Sequence, residues 1–419
     1  MHSDTVSPAV YEIAGKRWPK DAPGFSEAIA YAFEHRLRPR CLCRTNSDGQ
    51  GIEMYVARLM GGYIVKRMPE TGSDHAPDCP SYEPPAEFSG LGQVLGSAIT
   101  ENLNTGETVI KLDFPLTKMP GRSQMPQTGS DSESVATDGT KLSLRGLLHY
   151  LWDQAELTKW HPGFEGKRTW GTVRRQLLSA AEHKFARGDS LRSRLYIPET
   201  FFVDDREAII ARRSAQWLQA LSAPGKPQSL MLLISEVKEI VPARYGFKAV
   251  VKHVPEQTFA LDEQLYRRLG RRFKSELTLW GADRDIHMVM VATFGVSGSG
   301  VPTIHELCLM PVNRQWLPVE NEFENQLLIR LINEHRSFVK ALHYNLSRRN
   351  SIANVLLTDT ASPVELHVVS QDHDLSTSAA ASEDKSANAI QRWAWNPWQQ
   401  ALPALPVKKA RIQPICEAT

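Results

Sequence analysis

Cys41 and Cys43 stand one residue apart, and a His75-Ala-Pro-Asp-Cys79 segment answers them further along the chain. Three of the five cysteines fall in this window, and the histidine completes a set of four sulfur and nitrogen ligands. Zinc in a structural role takes a closed tetrahedral set of this kind, with two ligands from each of two turns. The flanks Arg40, Arg44, Pro77 and Pro80 are polar and turn-forming, as ligand turns require. Two other readings use the same residues: cysteines that simply pack in a core, and a redox pair. The spacing favours structural Zn2+ held by Cys41, Cys43, His75 and Cys79.

Something must bring the second ligand pair back to the first. Met54–Leu59 and Tyr63–Met68 are strand-like, with Gly61-Gly62 as a tight turn between them, so a hairpin is expected. The window then reads as a zinc-ribbon-like β module, stapled by a metal where a core is too small.

Elsewhere the chemistry is sparser. The glycines at 295–300 precede no Lys-Ser/Thr and no helix start, so they read as a hairpin loop. No His-Glu-x2-His pair, Gly-x-Ser-x-Gly elbow or kinase signature occurs. The segment 262–280 is expected to be one helix. On it Arg267, Arg268, Arg271, Arg272 and Lys274 share an arc of about 160°. Leu265, Tyr266, Leu269, Phe273, Leu277 and Trp280 take the opposite arc. Charge runs are usually solvated faces, but these five have no interleaved acid, which suits contact with phosphates. A smaller group, Lys167, Arg168, Arg174 and Arg175, opens another expected helix and could serve a helix-turn-helix.

The 419 residues allow two or three domains, and a net charge of +2 gives no bulk case for nucleic acid. No leader-like or membrane-spanning run is apparent, and the cysteine usage suits a reducing compartment, so a cytoplasmic protein without membrane contact is expected. The pattern divides into a zinc-ribbon-like domain (1–118), a linker (119–140), a helical domain (141–222), an α/β domain (228–370) and a mostly irregular tail with a Trp cluster (371–419). Expected helices cover 144–155, 170–188 with Gly188 as C-cap, 204–217 and 320–337. Expected strands cover 230–240, 247–251, 287–294, 304–312, 338–344, 352–358 and 364–369. The fold class is thus α+β multidomain.

The helix and three strands of 320–370 resemble the core of PD-(D/E)XK nucleases, in which an acid opens the second strand and a Glu-x-Lys follows on the third. Here Asn354 and the run Leu366-His367-Val368-Val369 occupy those places, so the domain reads as a degenerate version. Glu324, Asp359 and Glu365 are the nearby acids that could act in a metal-dependent nuclease.

The blocks Arg40-Cys41-Leu42-Cys43, Met54–Arg58, Tyr63–Pro69 and His75–Pro85 are distinctive together. With them go Leu147–Trp152, Trp160-His161-Pro162, Gly166–Trp170 and Arg336–Tyr344. From about residue 10 to 406 the chain resembles the bacterial domain-of-unknown-function family numbered one-one-seven-three. The resemblance implies a setting in plasmids and integrative conjugative elements and carries no established activity. The expected function is therefore a zinc-stabilised, nucleic-acid-associated accessory protein of mobile elements, with DNA and mobile-element proteins as partners. The alternatives are a divergent metal-dependent nuclease and a protein-interaction adaptor using the ribbon and the tryptophan tail.

Overall fold

The computed structural model describes residues 9–119, 139–344, 352–369 and 391–409, apart from positions 47, 60, 61, 69, 70, 78, 86–89 and 103–106. The fold is mixed α+β, with eight α-helices among the described residues. Most of the expected linker, the segment 371–389, Gly61, Asp78 and Cys416 lie outside the described residues.

The N-terminal part is an antiparallel sheet. Its strands are β1 (Val10–Ile13), β2 (Lys16–Pro19), β3 (Arg40–Thr45), β4 (Gly51–Leu59) and β5 (Gly62–Arg67), in the order β2-β1-β3-β4-β5. Helix α1 (Phe25–Glu34) lies against it and buries Ile29 and Ala32. Alternation along β1 turns Tyr11 and Ile13 inward. The β4–β5 hairpin has the expected register, from Met54 opposite Arg67 to Leu59 opposite Gly62. This part has a small core of its own, including Tyr11, Ile13, Ile29, Met54 and Tyr82.

The middle of the chain adds short strands β6 (Ile99–Glu101), β7 (Thr108–Ile110), β8 (Thr117–Lys118), β9 (Lys159–Trp160), β10 (Lys184–Ala186), β11 (Asp189–Ser190), β12 (Leu195–Tyr196) and β13 (Gln228–Ser229). Among them run α2 (Leu144–Gln154), α3 (Trp170–Ala180), α4 (Leu191–Arg194) and α5 (Arg206–Trp217). Ser143 caps α2 by accepting from the Gly146 amide. The expected helix 170–188 stops at Ala180, because 184–186 pairs in parallel with β7. Gly188, expected as its C-cap, instead sits at φ 88 in the β10–β11 turn.

Next comes a closed five-stranded barrel of β14 (Met231–Pro242), β15 (Phe247–Val251), β16 (Phe259–Leu261), β17 (His287–Val296) and β18 (Pro302–Val312). Neighbours run β14-β15-β16-β18-β17, and β17 pairs back onto β14 to close the ring. Within the ring all pairings are antiparallel except β16 with β18, and outside it β12 pairs in parallel with β14. Helices α6 (Glu263–Arg272) and α7 (Lys274–Ala282) lie between the third and fourth barrel strands. They replace the single helix expected over 262–280. Phe273, at φ −115 and ψ 30, breaks the ladder and drops its ring into the core.

The last unit is α8 (Glu322–Asn333) followed by β19 (Phe338–Lys340), β20 (Val355–Leu357), β21 (Val364–Val368) and β22 (Gln391–Trp395). The sheet order is β22-β21-β20-β19-β9, antiparallel except for β21 with β22. The described part of the expected tail thus begins as a paired edge strand, with Trp395 buried at 3% exposure.

One continuous core runs through α2, α3, α5 and the barrel, from Leu91 to Tyr344. The helices of 141–222 and the strands of 228–312 therefore share an interior. Fully buried side chains such as Trp152, Phe259 and Phe294 tie them together, each worth about 1.5–3 kcal/mol or more by apolar burial. The α8 sheet has a separate core of Leu327, Leu331, Val355, Leu357 and Leu366. Among the described residues no helix is long and apolar enough to cross a membrane.

Candidate metal centre

Strand β3 delivers Cys41 and Cys43, and a register shift between Cys41 and Thr45 in its pairing with β4 marks the irregularity there. The second pair follows the hairpin. A 3-10 turn at Gly72–Asp74 leads into His75, and the Cys79 amide bonds the Ala76 carbonyl at 2.8 Å. Cys41 Sγ and Cys79 Sγ are 3.7 Å apart, and His75 Nδ1 lies 3.3 Å from Cys43 Sγ and 3.7 Å from Cys79 Sγ. The four ligand atoms all lie within 4.8 Å of one another. A tetrahedron with Zn–S bonds of about 2.3 Å has sulfurs about 3.8 Å apart. The residues fit such an ion.

The surroundings bias the three sulfurs unequally. The Ala76 amide donates to Cys43 Sγ and the Ser81 amide to Cys79 Sγ, each at 3.4 Å. Hydrogen bonding from Cys41 holds Cys79 down at about 4 and pushes Cys41 up, while burial raises Cys43. A bound dication would supply the charge that favours thiolate at all three sulfurs. His75 is wholly buried, with Nδ1 turned to the sulfurs and Nε2 without a hydrogen-bond partner among the described residues. Tyr11, paired with Cys41 across β1 and β3, closes one side, and burial raises its hydroxyl to about 12.

The acids considered for catalysis do not gather. Among the described residues the Cys41, Cys43, His75 and Cys79 set is the one cluster of metal-ligating type. Glu324 is fully buried on α8. Its Oε1 accepts from Lys340 Nζ at 2.9 Å and Asn354 Nδ2 at 2.8 Å, and its Oε2 from the Glu320 amide at 2.7 Å. Asp359 is gripped by Arg336 at 2.8 Å and by the Ser337 amide at 2.9 Å. Glu365 meets His367 at 3.1 Å and Arg392 at 3.6 Å. Alternation along β21 sends Val364 and Leu366 into the core beneath α8, so Glu365 and His367 face the other side of the sheet from Glu324.

The basic residues expected on the 262–280 helix are all exposed. Arg267 pairs with Glu263 one turn away at 2.5 Å, and Arg272 lies over the Phe273 ring at 5.5 Å. Arg268 and Arg272 also look toward Glu306, whose carboxyl is raised by burial and then by Asp113. Asp113 itself is raised to about 6 by burial. Of the smaller basic group, Arg168 is turned inward, donating to the Leu157 carbonyl and lying over Phe164 and Trp160. Arg174 donates to the Ile197 carbonyl at 3.0 Å.

A family model described as protein of unknown function, DUF1173, matches residues 11–398. The chain belongs to this family. No curated protein and no solved structure matches it. The match takes in the metal-ligating cluster, the barrel and the α8 sheet, so these parts belong to one family unit. Sequence reasoning named Glu324 and Asn354 but missed Lys340, which joins them in one buried group. Its one outward signal was a lysine in an otherwise apolar strand, Phe338–Lys340.

Proposed function

We propose that the protein is a zinc-stapled, nucleic-acid-associated accessory protein of bacterial mobile elements rather than a catalyst. The observation that carries the nucleic-acid reading is the set of exposed cations on α6 and at the start of α7, Arg267, Arg268, Arg271, Arg272 and Lys274. Among the described residues only Arg267 of these has an ion pair. A dense array of that kind exchanges counterions for phosphates. The mobile-element setting rests on the family resemblance.

Zn2+ at Cys41, Cys43, His75 and Cys79 supplies a structural cross-link in this reading. With four protein ligands no coordination place is left for a reacting water. The expected outcome with duplex DNA is binding that weakens steeply with salt. Triple charge reversal at Arg267, Arg271 and Lys274 abolishes it without changing the melting temperature. Unchanged binding in that variant would end the proposal.

A degenerate nuclease core has one supporting observation. Helix α8 leads into an antiparallel β19-β20-β21 meander with β22 parallel to β21. In it the Lys340 ammonium lies against Glu324, within reach of the Ala341 carbonyl at 2.6 Å. A cation fixed in the chain there is at odds with a bound divalent ion at the same carboxylate.

A further inference from the structure

We infer that the outer face of the second and third barrel strands, β15 and β16, is a binding platform for single-stranded nucleic acid. This deepens the proposed nucleic-acid reading and rests on it, since it names the ligand form and a surface apart from the α6 cations. Three observations converge.

The first is topology. The ring runs first, second, third, fifth, fourth strand and back to the first. The third and fifth strands are parallel, and the helices lie between the third and fourth. This is the strand order of the oligonucleotide- and oligosaccharide-binding barrel, whose ligands cross strands two and three between the first and last hairpin loops. Topology alone does not decide function, and the site must.

The second is the floor. Ala249 and Val251 point into the barrel, so Lys248 and its cross-strand neighbours point out. Val241, Lys248, Ala260 and Thr303 form one row across four strands, each only part-buried. Small side chains around a single lysine leave a shallow, open surface.

The third is the wall at the β14–β15 turn. The Ala243 amide bonds the Gly246 carbonyl at 3.0 Å, closing a tight turn that thrusts out Arg244 and Tyr245. Tyr245 is 83% exposed, and the Arg244 guanidinium lies 5.4 Å from its ring centroid. An unburied aromatic ring beside a guanidinium is a stacking site for a base, with the cation set for the adjoining phosphate. Lys238 and Lys248 add positive charge, against Glu239 alone of opposite sign on the exposed half of β14. The ring of Phe247, which shares the inward parity of Ala249, stacks on Tyr266 of α6 at 3.5 Å, so α6 closes the barrel beside this turn and its cations lie apart from the outer face. The β17–β18 turn bounds the other end, held by the Gly300 amide on the Ser297 carbonyl at 2.8 Å. Cations with an exposed ring favour a polyanion over a neutral sugar.

The test uses fluorescence anisotropy of the full chain with labelled oligothymidylate, oligouridylate and a duplex of equal length. Either single strand is expected to bind at least about tenfold more tightly than the duplex, and the tighter of the two tells DNA from RNA. Tyr245→Ala and Lys248→Glu should each weaken single-strand binding, the former by about tenfold, with melting temperature unchanged. Unaltered affinity in both variants would overturn the platform. Displacement of the oligonucleotide by a neutral oligosaccharide would do the same. If the α6 charge reversal abolishes binding while these two variants do not, the helix-borne reading stands and this one falls.

Discussion

Lys184 shows how far a single residue can be set against its own charge. It is 4% exposed on β10, its Nζ 5.4 Å from the Tyr150 ring centroid. Burial, and then the nearby Lys66, lower its pKa to about 7, against a weaker opposing pull from Glu101. A folded value below the unfolded one means that stability is fully present above the unfolded pKa. It is lost as pH falls from about 10 towards 7. Lys184→Met should therefore stabilise the fold by on the order of a few kcal/mol near pH 6, seen as a raised melting temperature. The gain should shrink steadily as pH rises towards 10. Melting curves at pH 6 and 9.5 check this, and an equal gain at both would contradict it. Local sequence could not reveal such groups. Lys184 is buried by β7 and α2, both distant along the chain, and Lys340 by the nearby α8 through the packing of that helix on its sheet. The Cys41, Cys43, His75 and Cys79 cluster was legible because a metal set has its own spacing, whatever surrounds it.

Among the elements, the β14–β15 turn depends most on one residue. Gly246 has φ +82, and a Cβ there would come within 2.8 Å of the Leu261 carbonyl oxygen. Gly246→Ala should cost about 1–3 kcal/mol through strain at the left-handed position, with added loss where β15 meets β16. A urea midpoint matching the parent would show that the turn relaxes freely. The neighbouring elements divide by how local their causes are. The β4–β5 hairpin and β15 lie where alternation and turn residues put them. The amphipathic arcs of 262–280 also hold, since Leu265, Leu269 and Phe273 are buried and the arginines exposed. What the pattern did not carry was the break at Phe273, or the capture of 184–186 by β7, because the pairing partner is remote in sequence.

At the scale of the whole molecule, the same remoteness explains the cores. Composition shifts suggested separate helical and α/β domains, yet α2, α3 and α5 pack onto the barrel in one interior. The α8 sheet and the N-terminal sheet each have a core of their own, the N-terminal one the smaller, and Cys41 and Cys79 are among its buried residues. Specific contacts tie it to the rest, among them Tyr55 donating to Glu101. Leu356 of β20 joins that core, and Lys159 Nζ donates to the Pro80 carbonyl at 2.9 Å. A module so small should lean on its metal for stability, because binding energy at a structural site is folding energy. The purified chain should carry one zinc. A zinc chelator under reducing conditions should split the melting curve in two and open residues 9–85 to protease while 139–344 stays protected. Cys79→Ser and His75→Ala should reproduce that pattern without chelator. The ligand variants matter because a chelator can also strip an adventitious ion, whereas removing one of four ligands acts on this site alone. If the variants keep zinc and protease resistance, the cluster is a packed set of thiols and the sheet stands without a staple.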